Sequence, residues 1–180
     1  MNPKMEKTKE SLLENVIIEK TCEKDFEQIC ELISNEFNLS GPDEARFQLL
    51  SSHVLIDESV KLCDKDTGEI YGILMFCDFP IGIGSPIQVV KPYIHDFLKQ
   101  FKQVNGHSFI IDKKLRGTNL DKQMLDHNLD YLTEHYDFIW CGVGKDLKTH
   151  DYWKRMGFVE TLTIDEATFY VLPLNPKMVE

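Results

Sequence analysis

Residues 107–125 read HSFIIDKKLRGTNLDKQML, and this one stretch sets out the fold of the chain. The apolar run 109–111 is typical of a buried strand, and the residues from Leu120 onward place apolar side chains at helical spacing. Between them lies a short basic turn that contains Arg116 and Gly117. A helix that follows such a turn points unpaired backbone N–H groups at one spot, where an anion binds well. The stretch therefore predicts a strand, a turn and a helix, with a candidate anion site where the helix begins.

The same turn supports a second interpretation. The letters TNLD, residues 118–121, match a capping box, with Thr118 as N-cap and Asp121 three residues later. In that role Asp121 turns back onto the donors that a phosphate would use, and its carboxylate repels a diphosphate. The turn alone thus leaves an anion site and a closed helix cap both open.

Hydrophobic periodicity predicts the other elements on both sides of this stretch. The predicted strands lie at 15–21, in two arms of a hairpin that turns at Gly68, and at 107–112, 137–143, 158–164 and 168–174. The predicted helices begin at Asp25, at Pro42, at 87, at Leu120 and at 149, and the third of them is expected to close at Asn105-Gly106. Residues 1–14 are polar and predict a frayed arm or a short helix. Residues 15–180 predict one α+β domain with a mixed sheet.

Composition limits the function. The net charge of −10 disfavours nucleic acid and anionic membranes as partners. It is compatible with a cationic or amine-bearing partner, and it fits even better a protein that is merely soluble. No apolar run is long enough to span a membrane, and the N-terminus lacks the apolar core of a secretory signal. The five cysteines are scattered, form no CxxC pair and do not cluster with histidines, so we expect free thiols in the cytoplasm and no metal site.

The order of elements, together with the turn, resembles the GNAT superfamily of N-acetyltransferases. IIDKKLRGTNLDKQML is similar to the acetyl-CoA segment of that family, with Ile111 as the last apolar residue of the strand and Arg116 at the Arg/Gln position. YDFIWCGV is similar to the next strand, and YWKRMGF to the helix that ends in Gly-Phe. The resemblance covers roughly residues 15–172. It implies a mixed, mostly antiparallel, twisted sheet of about six to seven strands flanked by helices.

The resemblance also implies where acetyl-CoA, the co-substrate, would bind. The backbone of three strand residues would contact the pantetheine arm: Phe109, Ile110 and Ile111. The amides of the turn and the first helical residues would wrap the pyrophosphate: Arg116, Gly117, Thr118, Asn119, Leu120, Asp121 and Lys122. The family chemistry is direct attack of an amine on the thioester, with a base that removes a proton and an acid that protonates the thiolate.

The chain departs from the family pattern at three positions. Asn119 and Asp121 stand where the motif has glycines, and Trp153 stands where the family has a tyrosine. Asn119 tolerates left-handed backbone angles, whereas Asp121 adds a side chain of the wrong charge. Tyr152 is the neighbour of Trp153, but adjacent helical positions point about 100° apart.

Two residues are candidates for acid–base chemistry. His107 lies four residues before Ile111 and is expected on the same strand face, where GNAT members that acetylate arylalkylamines carry a histidine base. The other interpretation is that His107 is only the first residue of the strand and has no catalytic role. Tyr152 could protonate the leaving thiolate, and its alternative is to pack on the sheet. Cys141, inside an apolar strand, is expected to pack in the core.

The leading hypothesis is a cytoplasmic enzyme that transfers an acetyl group to a primary amine of a small molecule or peptide. A second hypothesis is a non-catalytic binding module whose coenzyme site is closed by Asp121. A third is an acyltransferase for a longer acyl chain or another carrier. The acceptor is expected over the loops at 37–45 and 79–89, and the predicted helix at 88–104 either walls that cleft or makes a dimer contact. The protein is expected to be a monomer or a homodimer.

Overall fold

The structure is a computed structural model of the chain, and it describes residues 8–78, 96, 99–145, 147, 149–164 and 166–175. Its centre is one sheet of seven strands in the spatial order β1-β2-β3-β4-β5-β7-β6. The strands are β1 (Val16–Lys20), β2 (Val60–Asp64), β3 (Ile70–Cys77), β4 (Gln103–Ile111), β5 (Phe138–Gly144), β6 (Val159–Ile164) and β7 (Ala167–Pro173).

Among the strands of the described residues, β4 and β5 alone run parallel, and every other neighbouring pair is antiparallel. This topology confirms the predicted α+β class and the mixed, mostly antiparallel sheet. A parallel pair needs a crossover between its strands, and here a long helix supplies it. Strand β3 is buried along its whole length, which explains its continuous apolar sequence, and β2 is equally buried although it carries Lys61 and Asp64.

Helices cover both faces of the sheet. They are α1 (Lys9–Leu13), α2 (Phe26–Phe37), α3 (Pro42–Ser51), α4 (Leu120–His135) and α5 (His150–Arg155). The core between α4 and the sheet contains Leu74, Phe76 and Val104, whereas the core under α2 and α3 contains Ile73 and Met75. These two faces are called the α4 face and the α3 face below.

Local signals in the sequence account for several boundaries. Pro42 occupies the first turn of α3, where its missing N–H costs no hydrogen bond. Asn38 ends α2 in the left-handed conformation, with φ of 51°. Gly68 takes φ of 73° in the turn between β2 and β3, as the predicted hairpin requires.

The helix predicted from residue 87 lies mostly outside the described residues, but its predicted end is wrong. Residues 103–106 belong to β4 and not to a helix that closes at Asn105-Gly106. Asn105 pairs with Cys77 of β3 on one side and with Trp140 of β5 on the other. Pairing on both sides is a tertiary effect, and it overrides the local turn signal of Asn-Gly.

The N-terminal segment forms the short helix α1, packed near the basic turn. Leu12 is buried in the same apolar cluster as Leu115 and Leu120, on either side of that turn. The side chain of Lys9 donates a hydrogen bond of 3.0 Å to the carbonyl oxygen of Arg116. The segment was expected to be either a frayed arm or a short helix, and its described part is a short helix.

A buried ion pair joins α2 to the first strands. Lys61 Nζ lies 2.9 Å from Asp25 Oδ1, and both side chains are less than a tenth exposed. Burial by itself raises the pKa of Asp25, but hydrogen bonds from Lys61 and from the backbone of Cys22 outweigh it and lower the pKa. The carboxylate therefore stays charged, which a buried lysine beside it requires.

None of the helices in the described part of the chain is both long and apolar enough to cross a bilayer.

Candidate active site

The parallel strands β4 and β5 form a fork. Their residues pair only at Gln103↔Phe138, Val104↔Ile139 and Asn105↔Trp140. Beyond these three pairs the strands separate, while β4 continues to Ile111 beside β3 and β5 continues beside β7. Beyond Asn105, no strand among the described residues pairs with this edge of β4, so backbone groups that point there can bind another molecule.

A β-bulge lies on β4 at the point where the two strands begin to separate, which is called the apex of the fork below. Met75 of β3 is opposite Ser108, and Phe76 is opposite Gly106, so His107 is the extra residue without a partner. A bulge bends its strand and shifts the alternation of side chains after it. It is therefore well placed to turn β4 away from β5.

The bulge overturns one prediction about His107. Its ring hydrogen-bonds Ser108 and, at the end of α3, Ser52, so it lies on the α3 face. Ile111 instead packs with the α4 face. The expectation that His107 and Ile111 share a face is wrong, because the extra residue breaks the period of two between them.

Both ring nitrogens of His107 contact hydroxyl groups. Nδ1 lies 2.8 Å from Ser108 Oγ, and Nε2 lies 3.1 Å from Ser52 Oγ. Burial lowers the pKa of His107, because the charged imidazolium loses its hydration. The ring is accordingly neutral at physiological pH, the state that a base needs.

The backbone of β4 alternates between β3 and the fork. Asp112 donates its N–H to Tyr71 of β3 over 2.7 Å, so the groups of Ile110, two residues earlier, also point toward β3. Ile110 is therefore a poor candidate for contact with pantetheine, contrary to the expectation. Phe109 and Ile111 direct their backbone groups into the fork. The carbonyl oxygen of Ile111 already accepts a 2.9 Å hydrogen bond from Arg116 Nε.

The turn before α4 presents a run of unpaired donors. Among the described residues, none accepts a hydrogen bond from the backbone N–H groups of 116–121. Gly117 and Asn119 both adopt left-handed angles, with φ of 73° and 62°. Asn119 can do so because its short polar side chain lowers the cost of that conformation. These amides stand at the positive end of the 16-residue helix α4.

The predicted capping box is absent. Asn119, not Thr118, is the N-cap, and it makes no side-chain cap hydrogen bond. The hydroxyl of Thr118 donates to the carbonyl oxygen of Leu115 over 2.6 Å. Asp121 accepts the N–H of Lys122 over 2.9 Å and does not turn back onto the start of the turn. Of the backbone N–H groups predicted to bind the pyrophosphate, Asp121 therefore accepts from that of Lys122 and from none of the earlier ones.

The side chain of Arg116 is already engaged. Its guanidinium forms an ion pair with Glu36 near the end of α2. The expected positive charge over the turn is thus partly neutralised, and the backbone donors are the remaining attraction for an anion.

Three aromatic rings meet on the α4 face of the fork. The ring centroid of Phe109 lies 5.8 Å from that of Tyr152 and 6.2 Å from that of Trp153. Both neighbours on α5 therefore reach the same ring, although adjacent helical positions point in different directions. Burial, with a further contribution from the charge of Asp121, raises the pKa of Tyr152, so its phenol stays protonated.

A small apolar pocket lies beside these rings, with free space of about 10 Å³, close to that of a single water molecule. Its lining includes Gly106, Phe109, Leu125, Trp153 and Met156. As it stands, the pocket is therefore much smaller than a small-molecule site.

Cys141 packs in the core, as the sequence predicts. It is 2% exposed, and burial raises its pKa to about 12. A thiol that stays protonated is a poor nucleophile. Within the described ranges, no group of three or more His, Cys, Asp or Glu side chains could hold a metal ion.

Sequence reasoning missed three polar residues around the apex of the fork. Ser52 and Ser108 bind His107, and the buried indole N–H of Trp140 finds no partner in the part of the chain that is described. Ser108 would follow from a known bulge, but the sequence carries no signal for the bulge itself. Ser52 is 55 residues from His107, and only tertiary structure brings it there.

No protein-family model and no curated protein matches the chain. Solved structures do match. A GNAT family N-acetyltransferase from Escherichia coli (YhbS) in complex with CoA is 20% identical, with a TM-score of 0.62 over 92% of this chain and 85% of that one. An acetyltransferase of the GNAT family from Staphylococcus aureus is 16% identical, with a TM-score of 0.59 over 89% of this chain and 99% of that one. The ribosomal-protein-S18-alanine N-acetyltransferase from Escherichia coli is 12% identical, with a TM-score of 0.59 over 89% and 94%. The chain therefore has the fold of the GNAT N-acetyltransferases.

Proposed function

We propose that the protein is an N-acetyltransferase that moves an acetyl group from acetyl-CoA to a primary amine. The observation that carries this proposal is the run of unpaired N–H groups at 116–121, at the start of a long helix and next to the open edge of β4. A pyrophosphate at this position accepts hydrogen bonds from several of these donors at once, and the positive end of the helix favours its charge.

The residues of the fork fit the other parts of the coenzyme. The backbone of Phe109 and the N–H of Ile111 would hydrogen-bond the amides of the pantetheine arm, as an additional strand does. The apolar side chains beside this edge, among them Phe109 and Trp153, would contact the methylene groups of the arm. The neighbour crystallised with CoA is consistent with this assignment.

The chemistry assigned to this chain is a proton transfer on each side of the fork. His107, neutral and on the α3 face, takes the proton of the acceptor amine as the nitrogen attacks the thioester carbonyl. A carbon–nitrogen bond forms and the carbon–sulfur bond breaks. Tyr152, on the α4 face and protonated, donates its proton to the departing thiolate. The two groups therefore work on opposite sides of the reacting carbon.

The acceptor is proposed to be a small molecule or a peptide with a primary amine. The net charge of −10 favours a cationic acceptor over nucleic acid. The protein would act in the cytoplasm, since four of its five free cysteines are buried and fit a reducing compartment. It would do so as a monomer or a homodimer.

A second candidate is a non-catalytic binding module of the same fold. The ion pair between Arg116 and Glu36, and the position of Asp121 beside the donors, favour it. A third candidate is an acyltransferase for longer acyl chains, for which the apolar side chains around Trp153 would supply contacts.

Calorimetric titration of acetyl-CoA and of desulfo-CoA into the full chain tests the proposal. Binding in the micromolar range that weakens with salt supports a pyrophosphate on the turn. Absence of heat and of a thermal shift with both compounds would favour the binding module. Titration with acyl-CoA compounds of increasing length distinguishes the third candidate, because affinity would then rise with the chain.

Asp121→Asn removes the charge and keeps the shape of the side chain. Asp130→Asn is the matched control, because Asp130 is exposed on the same helix but far from its start. Tighter binding in Asp121→Asn alone would show that this carboxylate opposes the coenzyme. Weaker binding would show that it orders the turn.

A further inference from the structure

Ser52 connects His107 to the surface of the cleft. Ser52 Oγ lies 3.1 Å from Nε2, and Ser108 Oγ lies 2.8 Å from Nδ1. A neutral imidazole has one N–H and one acceptor nitrogen, so one serine accepts a hydrogen bond from the ring and the other donates one. Neither nitrogen is left free for direct contact with a substrate.

The two serines differ in access. Ser108 is only 6% exposed, whereas Ser52 is partly exposed at the end of α3. Ser108 also lines the apolar pocket beside Phe109, so we take the partly exposed Ser52, at the end of α3, as the side from which an acceptor amine approaches. The arrangement consistent with a base has Nδ1–H donating to Ser108 and Nε2 accepting from Ser52.

The backbone fixes Ser52 in this position. Its N–H donates to Gln48 over 3.0 Å at the end of α3. His53 takes φ of 52° and donates to Leu50, and Val54 donates to Leu49, which together form a Schellman motif. Asp78, just after β3, donates to the carbonyl oxygen of His53 over 3.1 Å. A non-glycine residue in the left-handed region is strained, and such strain is often kept where a side chain must be held for function.

We propose that Ser52 relays the proton of the acceptor amine to His107, with Ser108 as the residue that positions the ring. This inference rests on the proposed acetyl transfer and adds a residue to its acceptor side. As the amine attacks, its proton passes to Ser52 Oγ, and the hydroxyl proton of Ser52 passes to Nε2. His107 becomes an imidazolium, and its Nδ1–H keeps the hydrogen bond to Ser108 Oγ. Ser52 gains one proton and loses another, so its hydroxyl is regenerated.

The first test needs no turnover. Nitrogen-15 NMR of the ring at alkaline pH shows which nitrogen carries the proton in the full chain. The expected form has the proton on Nδ1. A ring protonated on Nε2 overturns the proposal, because it could not accept a proton from Ser52.

The second test measures acetyl transfer to propylamine in a single turnover, in mixtures of light and heavy water. Wild-type protein is expected to give a curved dependence on the deuterium fraction, because the two protons of the relay move together with the proton of Tyr152. Ser52→Ala is expected to be roughly 10- to 100-fold slower and less curved, because the proton of Ser52 no longer contributes and water replaces a positioned group poorly. Ser52→Thr keeps the hydroxyl and is expected to restore most of the rate and the curvature.

Ser51→Ala is the matched control. Ser51 is the neighbouring residue, and its hydroxyl bonds to Gln48 of its own helix and not to His107. It is expected to leave the rate unchanged. Equal rates and equal curvature in wild type and Ser52→Ala overturn the relay while the acetyltransferase proposal stands. Failure of the wild type to bind acetyl-CoA or to acetylate propylamine overturns both, and the calorimetric titration identifies that case.

Discussion

Glu36, near the end of α2, forms an ion pair with Arg116, 80 residues later, at the turn that precedes α4. The pair joins the α3 face of the sheet to the proposed pyrophosphate site. A carboxylate beside that site repels a diphosphate, and it also holds the guanidinium that could attract one. The affinity for the coenzyme should therefore depend on a residue that does not itself touch it.

Glu36→Gln should strengthen the binding of desulfo-CoA roughly two- to fivefold at low salt, the size expected from one partly exposed charge pair. Calorimetry at two salt concentrations measures it. Glu31→Gln, an exposed change on the same helix, is the control and should have no effect. Weaker binding in Glu36→Gln would mean that the pair positions Arg116 for the ligand.

His53→Gly should stabilise the fold. Relief of the left-handed strain gains about 1–2 kcal/mol, and the greater freedom of glycine in the unfolded chain offsets about 0.5–1 kcal/mol of it. A net gain of about 0.5–1 kcal/mol should raise the melting temperature by roughly 1–4 °C. Calorimetric melting curves measure the change. His53→Val should do the opposite, because a β-branched residue is least tolerant of this conformation. Equal stability of the two variants would contradict the assigned φ.

Asp25→Ala should destabilise the fold by about 3 kcal/mol, because it leaves Lys61 buried without its main partner. Glu19, 3.6 Å from Lys61 Nζ, keeps the loss at the lower end of the usual range. Urea denaturation measures it. In a double-mutant cycle with Lys61→Met, the double variant should lose less than the sum of the single variants. Simple additivity would show that the pair is not coupled.

The stability of the wild type should fall on acidification through the ordinary pKa range of histidine. Because burial lowers the pKa of His107, the unfolded chain takes up a proton at a higher pH than the folded chain does. The free energy of unfolding therefore rises with pH between the lowered pKa and about 6.5, the ordinary value. His107→Gln should remove that part of the pH dependence, as measured by urea denaturation at several pH values. The exposed His127 offers the control, and an equal effect of His127→Gln would contradict the assignment.

The sequence predicted the parts of the fold that depend on local signals. Pro42 and Gly68 mark boundaries through their own backbone preferences, and the strand before Arg116 follows from its apolar run. The sequence could not predict the bulge at His107, because a bulge arises from the mismatch of two paired strands. For the same reason the sequence-based prediction placed the ring of His107 on the wrong face of the sheet.

The sequence predicted the strand, turn and helix that form the candidate site, but not the partners of its side chains. Asn119 takes the left-handed angle that the motif needs, and the donors of the turn are open. The role expected of Asp121 as a cap fails because Asn119 begins the helix one residue later than predicted. The partners of Arg116 and His107 come from α2 and the end of α3. Contacts with residues so far along the chain cannot be predicted from the sequence around Arg116 or His107.

The fork also separates the sheet into two groups of strands that share few backbone hydrogen bonds. Strands β1–β4 form one slab and β5–β7 another, and three residue pairs join the two at the base of the fork. A molecule bound between β4 and β5 would contact both groups of strands where their own pairing stops, above an apolar cluster that already spans them. Occupancy of the site would then protect the backbone amides of β4 and β5 from local opening, and it would raise the midpoint of unfolding as well.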